Sequence, residues 1–294
     1  MSPHRRNRGG RRYLLDFGRL EDIPKSKAYY QQFLKYHWEY YSNVAYQRAQ
    51  IYEALKKSLR EGAASFQFSR WQRAVKYKHT LNPLNASGSL ADPGGRFNIG
   101  GIDPARFTVF PGLYFAADKD TSLDELFARD KQGRLLSPEG LALTKAGSVT
   151  VVSVSGGLES VLDLREKDHL KGFIELVKDF RLPTSFIQEA RRLNIQPPRL
   201  VRTIHELVSI LMEPNWRSMP MQCDVPAPSQ IFGQIVMEAG IEGIVYPSVL
   251  SKEPCLVVYP QNFANSSAFV EIDDPAPTET VQKRIDASSF KNFI

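Results

Sequence analysis

Between Ala91 and Glu125 the chain passes from a glycine-bearing loop through a strand-like run into a helix-like run, and this stretch limits the folds open to it. Gly94-Gly95-Arg96-Phe97-Asn98 sets one arginine between a glycine pair and an Asn, and glycine permits the close approach and unusual dihedrals that a clasping loop needs. Leu113-Tyr114-Phe115-Ala116 reads as a strand, and Ser122-Leu123-Asp124-Glu125 reads as part of a helix. A cation, a ring and a carboxylate therefore sit on three successive elements. Such a set can hold a phosphorylated, sugar-containing ligand, and it can equally be ordinary fold.

Elsewhere, strands and helices do not alternate regularly. Ser26 to about Glu61 has helical spacing, with Ser42-Asn43 as a point where it could break in two, since either residue caps well. Its dense aromatics (Tyr29, Tyr30, Phe33, Tyr36, Trp38, Tyr41) predict a helical cap packed on the main body. Phe66–Val75 reads as a strand with Arg70 and Arg73 on or beside it, and residues 79–95 read as loop. Ser148–Val154 is a β-branched strand, with Leu158–Leu164 as a second. Helices are predicted over Leu170–Phe180, Thr184–Asn194, Arg202–Leu211 and Ser229–Ala239, the last with a Ser cap and Gly240 as its stop. Gly243–Ser248, Cys255–Tyr259 and Ala268–Ile272 follow as strand segments, and the last twenty residues read as a helical or loose tail. This order predicts a mixed α+β domain. Its divisions are an Arg-rich disordered arm over 1–20, a helical extension over 21–64, a catalytic domain over 65–275 and a tail over 276–294.

The net charge of +6 is concentrated in residues 1–12, which hold five arginines and no acid, so the remaining body is near neutral. Nucleic-acid binding cannot be argued from such a body, although the arm could touch phosphates in a salt-dependent way. No secretory h-region and no run long enough to span a bilayer is present, which predicts a cytoplasmic protein or cargo exported without a cleaved signal. Two cysteines, Cys223 and Cys255, form no disulfide framework.

Phosphate-loop, dinucleotide-fingerprint, Cys-x-x-Cys and His-Glu-x-x-His patterns are all missing, and the five histidines are scattered, so no metal site is predicted. His205 beside Glu206 reads as structural. Arg96 suits a diphosphate because its planar fork donates two parallel charge-assisted hydrogen bonds, or it makes a surface ion pair. Tyr114 can stack on a flat ring or fill the core. Glu125 has apolar neighbours (Leu123, Leu126, Phe127), or it is a solvated helix glutamate. Ser248 ends Gly-Ile-Val-Tyr-Pro-Ser and could bond to backbone.

In this order the residues resemble the RES-domain family, toxin halves of bacterial toxin–antitoxin pairs named for an arginine, a glutamate and a serine. The resemblance rests on Arg73 in Trp-Gln-Arg-Ala, Gly94-Gly95-Arg96-Phe97-Asn98 (Phe97 standing for the usual Trp), Leu113-Tyr114-Phe115-Ala116, the turn ending in Glu125, and Tyr246-Pro247-Ser248. It covers roughly residues 66–272, and the helical extension lies outside it. It implies a fold like that of ADP-ribosyltransferases, with a mixed β core, flanking helices and here an N-terminal helical extension. It further implies chemistry on NAD as substrate: cleavage of the nicotinamide–ribose bond with water or phosphate as acceptor, or ADP-ribose transfer to a protein. Glu125, Arg96 and Ser248 are the implied catalytic residues, and Arg73, Tyr114, Asn98 and Gly95 the implied substrate-binding ones. The implied partner is a helix-turn-helix antitoxin of the Xre type, with nucleic acid met through it or weakly through the arm, no membrane partner, and homodimerisation left open. A non-enzymatic nucleic-acid or partner-binding module remains the reading from a different class.

Overall fold

The computed structural model describes residues 23–127 and 149–293, so the arm expected over 1–20 lies outside them. Two helices open the chain, α1 (Ile23–Gln50) and α2 (Tyr52–Glu61), followed by strand β1 (Ala64–Lys76). The short pair β2 (Gly94–Gly95) and β3 (Asn98–Ile99) leads to β4 (Leu113–Ala116), α3 (Lys119–Phe127) and β5 (Val149–Asp163). Next come α4 (Lys171–Val177), α5 (Thr184–Arg192), α6 (Ile204–Leu211), α7 (Ser218–Cys223) and α8 (Pro228–Glu238). Strands β6 (Gly243–Pro247), β7 (Pro254–Val258), β8 (Phe269–Ile272) and β9 (Arg284–Ile285) finish the sheet. The architecture is α+β, a mixed β core with flanking helices and an N-terminal helical extension, as the sequence predicts.

The strand order β1-β4-β7-β6-β5-β8-β9, with β1 also paired to β5, closes a ring of five strands from which β8 and β9 extend. Most pairs are antiparallel; β5 and β6 run parallel, with Val161 opposite Gly243. Because side chains alternate faces along a strand, each central strand feeds two cores. Leu113, Phe115, Val245, Leu256 and Val258 point into one with Phe68, Val154 and Val270. Ile244, Tyr246, Cys255, Val257 and the partly buried Tyr114 point into the other, beneath α8 and the segment holding Phe97. Tyr114 and Tyr246 thus face this second, helix-covered side.

Several local expectations are corrected. The opening helix breaks at Ile51, whose ψ of 18° departs from the helical value, and not at Ser42-Asn43. Asn43 stays helical and accepts a hydrogen bond from Gln47 one turn on, at 2.8 Å. The two strands expected around Val154 and Leu158 are one strand, because Gly156 and Gly157 are laddered on both edges, to Phe68 and Gln67 in β1 and to Val270 and Phe269 in β8. Ser229 is not the cap of α8. Pro228 is its first residue, the Gln230 side chain accepts the Ala227 N–H at 3.0 Å, and Gly240 with φ of 80° ends the helix as expected. The final residues contribute β9, which pairs Ile285 with Val270.

The extension packs on the body as its aromatics predict. Leu55 and Leu59, one turn apart on α2, are fully buried with Phe173 and Ile235, which contributes about 1.5–3 kcal/mol for each side chain. Tyr36 of α1 is buried against Phe186, Ala190 and Leu193, while Trp38 stacks on Phe107 at 6.0 Å. Among the described residues no helix is long and apolar enough to cross a membrane.

Candidate functional site

Glu125 is held by the helix it sits on. Asp118 caps α3, accepting the Thr121 N–H at 2.8 Å, and Ser122 Oγ accepts the Ala74 N–H of β1 at 2.8 Å. Thr121 and Glu125 lie one turn apart and so share a face of the helix. That face meets the turn after β6 twice: Thr121 Oγ1 is 2.8 Å from Ser251 Oγ, and Ser248 Oγ–H donates to Glu125 Oε1 at 2.6 Å. Ser248 is fully buried, and its oxygen also accepts the Leu250 and Ser251 N–H groups, both at 3.2 Å. A hydroxyl that accepts two backbone donors has its own proton free for the carboxylate. The strand-end contacts to backbone and the contact to Glu125 therefore occur together.

Arg96 reaches the same region from the loop between β2 and β3. Its Nη1 donates to the carbonyls of Leu211 at 3.2 Å and Glu213 at 2.9 Å. These oxygens lie at and just beyond the end of α6, where orphan carbonyls and the negative end of the helix dipole favour a cation. Burial lowers the pKa of the Arg96 guanidinium, and the Tyr246, Glu125 and Tyr114 oxygens partly restore it. The Arg96 and Glu125 charges both act on the Tyr114 and Tyr246 phenols, whose pKa values are raised chiefly by burial. Positions 96 and 125 therefore both lie within electrostatic reach of these two phenols and of the Cys255 thiol, whose pKa burial also pushes up.

The loop that presents Arg96 is fixed from four directions. Tyr114 accepts the Phe97 N–H at 3.0 Å and donates to Asn98 Oδ1 at 2.8 Å. Asn98, wholly buried, also accepts from Gly95 N at 2.8 Å and donates to Ser89 O at 2.8 Å and Phe110 O at 3.0 Å. Gln230 Nε2 donates to the carbonyls of Pro93 at 2.7 Å, Asn98 at 3.0 Å and Gly95 at 3.2 Å. Tyr259 donates to Phe97 O at 2.9 Å, and the Phe97 ring meets Tyr246 edge-on at 4.8 Å. A Cβ at Gly95 would overlap the Tyr114 hydroxyl, and one at Gly233 would overlap the Phe97 carbonyl. Both glycines are thus needed for close approach.

The structure therefore brings Arg96, Tyr114, Glu125 and Ser248 together, with Asn98 and Gly95 in the layer that supports them. Arg73 stands apart. Its Nε, Nη1 and Nη2 donate to Pro83 O at 2.7 Å, Tyr114 O at 3.0 Å and Asn85 O at 3.2 Å, and burial lowers its pKa to about 10. A share in diphosphate binding finds no support in a guanidinium committed to three carbonyls beside Phe115, whose ring faces the other core.

Gln230 and Tyr259 have no counterpart among the residues singled out from sequence, and Tyr246 is named there only as part of the segment leading to Ser248. Gly233 offered a signal, since a glycine in a helix interior costs about 1 kcal/mol and is retained where something must come close. Among the described residues no group of three or more His, Cys, Asp or Glu side chains could hold a metal ion. Residues 128–148, which follow the helix bearing Glu125, lie outside the described residues.

The RES domain family model matches residues 69–280, most of the chain. The chain belongs to the RES-domain family. A search of curated proteins returns no match. Among solved structures the chain is similar to one in the crystal structure of the M. tuberculosis MbcT–MbcA toxin–antitoxin complex, at 13% identity and a TM-score of 0.39, covering 82% of this chain and 97% of that one. At that identity and score the likeness carries no functional argument. The RES match takes in Arg96, Glu125 and Ser248, all three inside residues 69–280.

Proposed function

We propose that this RES-domain protein is an NAD-consuming toxin that cleaves the nicotinamide–ribose bond, and that a cognate antitoxin of the Xre helix-turn-helix type neutralises it in the cytoplasm. The observation that carries the reading is the 2.6 Å hydrogen bond from Ser248 to Glu125, since it joins the family's glutamate and serine from two separate segments, with Arg96 near enough for the Glu125 charge to act on it. Breaking the nicotinamide–ribose C–N bond moves its electron pair onto the pyridinium nitrogen, so nicotinamide leaves neutral and needs no strong acid. The positive charge is left on the ribose as an oxocarbenium-like centre. Glu125, oriented by Ser248, hydrogen-bonds a ribose hydroxyl and offsets that charge. Arg96 binds the diphosphate, and the Tyr114 ring packs the nicotinamide. Asn98 and Gly95 position these groups. Water or phosphate then adds its oxygen to the anomeric carbon and gives up a proton.

The test is nicotinamide release from NAD by the purified protein, followed chromatographically with and without phosphate. Labelled NAD separates the alternative of protein mono-ADP-ribosylation, which yields labelled protein in place of free ADP-ribose or its phosphate. No release at all, with salt-sensitive nucleic-acid binding lost on deletion of residues 1–12, would replace the enzymatic reading by a binding module.

A further inference from the structure

Trp216 lies just beyond α6, is 5% exposed, and carries two guanidiniums over its indole. The Arg96 Cζ stands 5.9 Å from the ring centroid and the Arg217 Cζ 4.6 Å. The first is held in place by the Leu211 and Glu213 carbonyls. The second is exposed, with no ion pair or hydrogen bond among the described residues beyond its stacking on Trp216. Two like charges gathered on one aromatic side chain repel, and here no carboxylate of the described residues pairs with either. The Arg217 charge is felt by both Arg96 and the Tyr114 phenol, so it borders the site.

We propose that Arg217 is a second anion-binding residue of this site, meeting the phosphate that Arg96 leaves uncovered and so favouring diphosphate-bridged dinucleotides over monophosphates. The inference deepens the NAD reading and rests on it. A diphosphate carries charge on two phosphoryl groups, and one planar fork matches the oxygens of one. Arg96 spends Nη1 on two carbonyls, leaving Nε and Nη2 as a single bidentate edge. The second phosphoryl group then needs another cation within a few ångströms. Arg217, whose Cζ stands 4.6 Å from the centroid of the same indole, is placed to supply it. Its exposure suits a residue that closes on the ligand after arrival, whereas Arg96 is fixed beforehand.

The experiment is calorimetric titration of ADP and AMP into the full chain, wild type and Arg217→Ala, with NAD kinetics alongside. ADP binding is expected to weaken at least about tenfold in Arg217→Ala, AMP binding to change less than about threefold, and Arg217→Lys to recover part of the loss. In turnover, KM for NAD rises by a similar factor with kcat nearly kept, as expected when an interaction common to ground and transition states is removed. Equal ADP affinity in wild type and Arg217→Ala overturns the inference, as does a parallel loss for AMP, or no binding of ADP to wild type. Arg217-dependent ADP binding without nicotinamide release would leave the inference standing and defeat the catalytic reading instead.

Discussion

Replacing Glu125 by Gln isolates one quantity, the negative charge at that position. The amide oxygen has the place of Oε1 and still accepts the Ser248 proton, which the Leu250 and Ser251 N–H groups leave free to donate. Thr121 still docks α3 on Ser251, one turn back on the same face. The change in stability is then the difference between a charge-assisted and a neutral hydrogen bond, about 1 kcal/mol. That corresponds to a fall in Tm of roughly 2–4 °C for a chain of this size. The kinetic cost is larger. A preorganised group facing developing charge is worth about 3–4 kcal/mol, so kcat for nicotinamide release should fall by about 10²–10³. Steady-state chromatography of nicotinamide, with Tm read by circular dichroism on the same samples, separates the two effects. A folded Glu125→Gln protein that turns NAD over within about threefold of wild type would remove the carboxylate from the mechanism.

Three further outcomes follow from the same contacts. Gln230→Leu strips the Pro93, Gly95 and Asn98 carbonyls of a shared donor, and should lower stability by about 3 kcal/mol in urea titrations while raising KM for NAD through a loosened Arg96 loop; an unchanged midpoint refutes this account of Gln230. Gly233→Ala forces a methyl into the Phe97 carbonyl and should cost about 1–3 kcal/mol, despite alanine's better helix propensity, so a more stable variant would contradict the close approach. His37, in edge contact with Phe33 at 4.4 Å and Tyr36 at 5.4 Å, has its pKa lowered by burial from 6.5 to about 4. The unfolded chain therefore binds the extra proton between those values, and the contribution of His37 is fully present above pH 6.5 and lost as pH falls towards 4, up to about 3 kcal/mol. His37→Gln should flatten acid unfolding over that window, and an unaltered acid limb would show that this ring is not the group responsible.

What the sequence disclosed depended on whether a residue's role was written in spacing or in contacts between distant segments. The motif from Gly94 to Glu125 and the Pro247-Ser248 step were legible because their residue types and order are specific. The helical cap was legible because its aromatics recur at helical spacing, and they do bury against Phe186 and Phe107. The long strand β5 was not, since Gly156-Gly157 reads locally as an interruption and only pairing on both edges makes it continuous. Two-residue β9 is too short to carry an alternation. Gln230 hid for a different reason. A buried amide inside an amphipathic helix looks like a polar residue at its margin, and its three acceptors lie in a loop far back in the chain. Arg73 differs again, since its residue type invites a ligand role while its guanidinium donates to three backbone carbonyls, a contact no local pattern announces.

The carbonyl contacts of Arg96 need not compete with its proposed task. A guanidinium has five N–H donors in a rigid plane, and the two at Nη1 match the two carbonyls at the end of α6. Fixing that edge fixes the direction of the opposite one, formed by Nε and Nη2, before any ligand is present. The cost of ordering a long side chain is thereby met in folding and not at binding. Burial works against the charge, Tyr246, Glu125 and Tyr114 oppose that effect, and the negative end of α6 favours a cation there. Lysine could cap the helix or grip a phosphate, but a single ammonium on a flexible stem offers no second, prealigned edge. The requirement for arginine at position 96 therefore comes from two faces used at once, one by the fold and one by the proposed substrate.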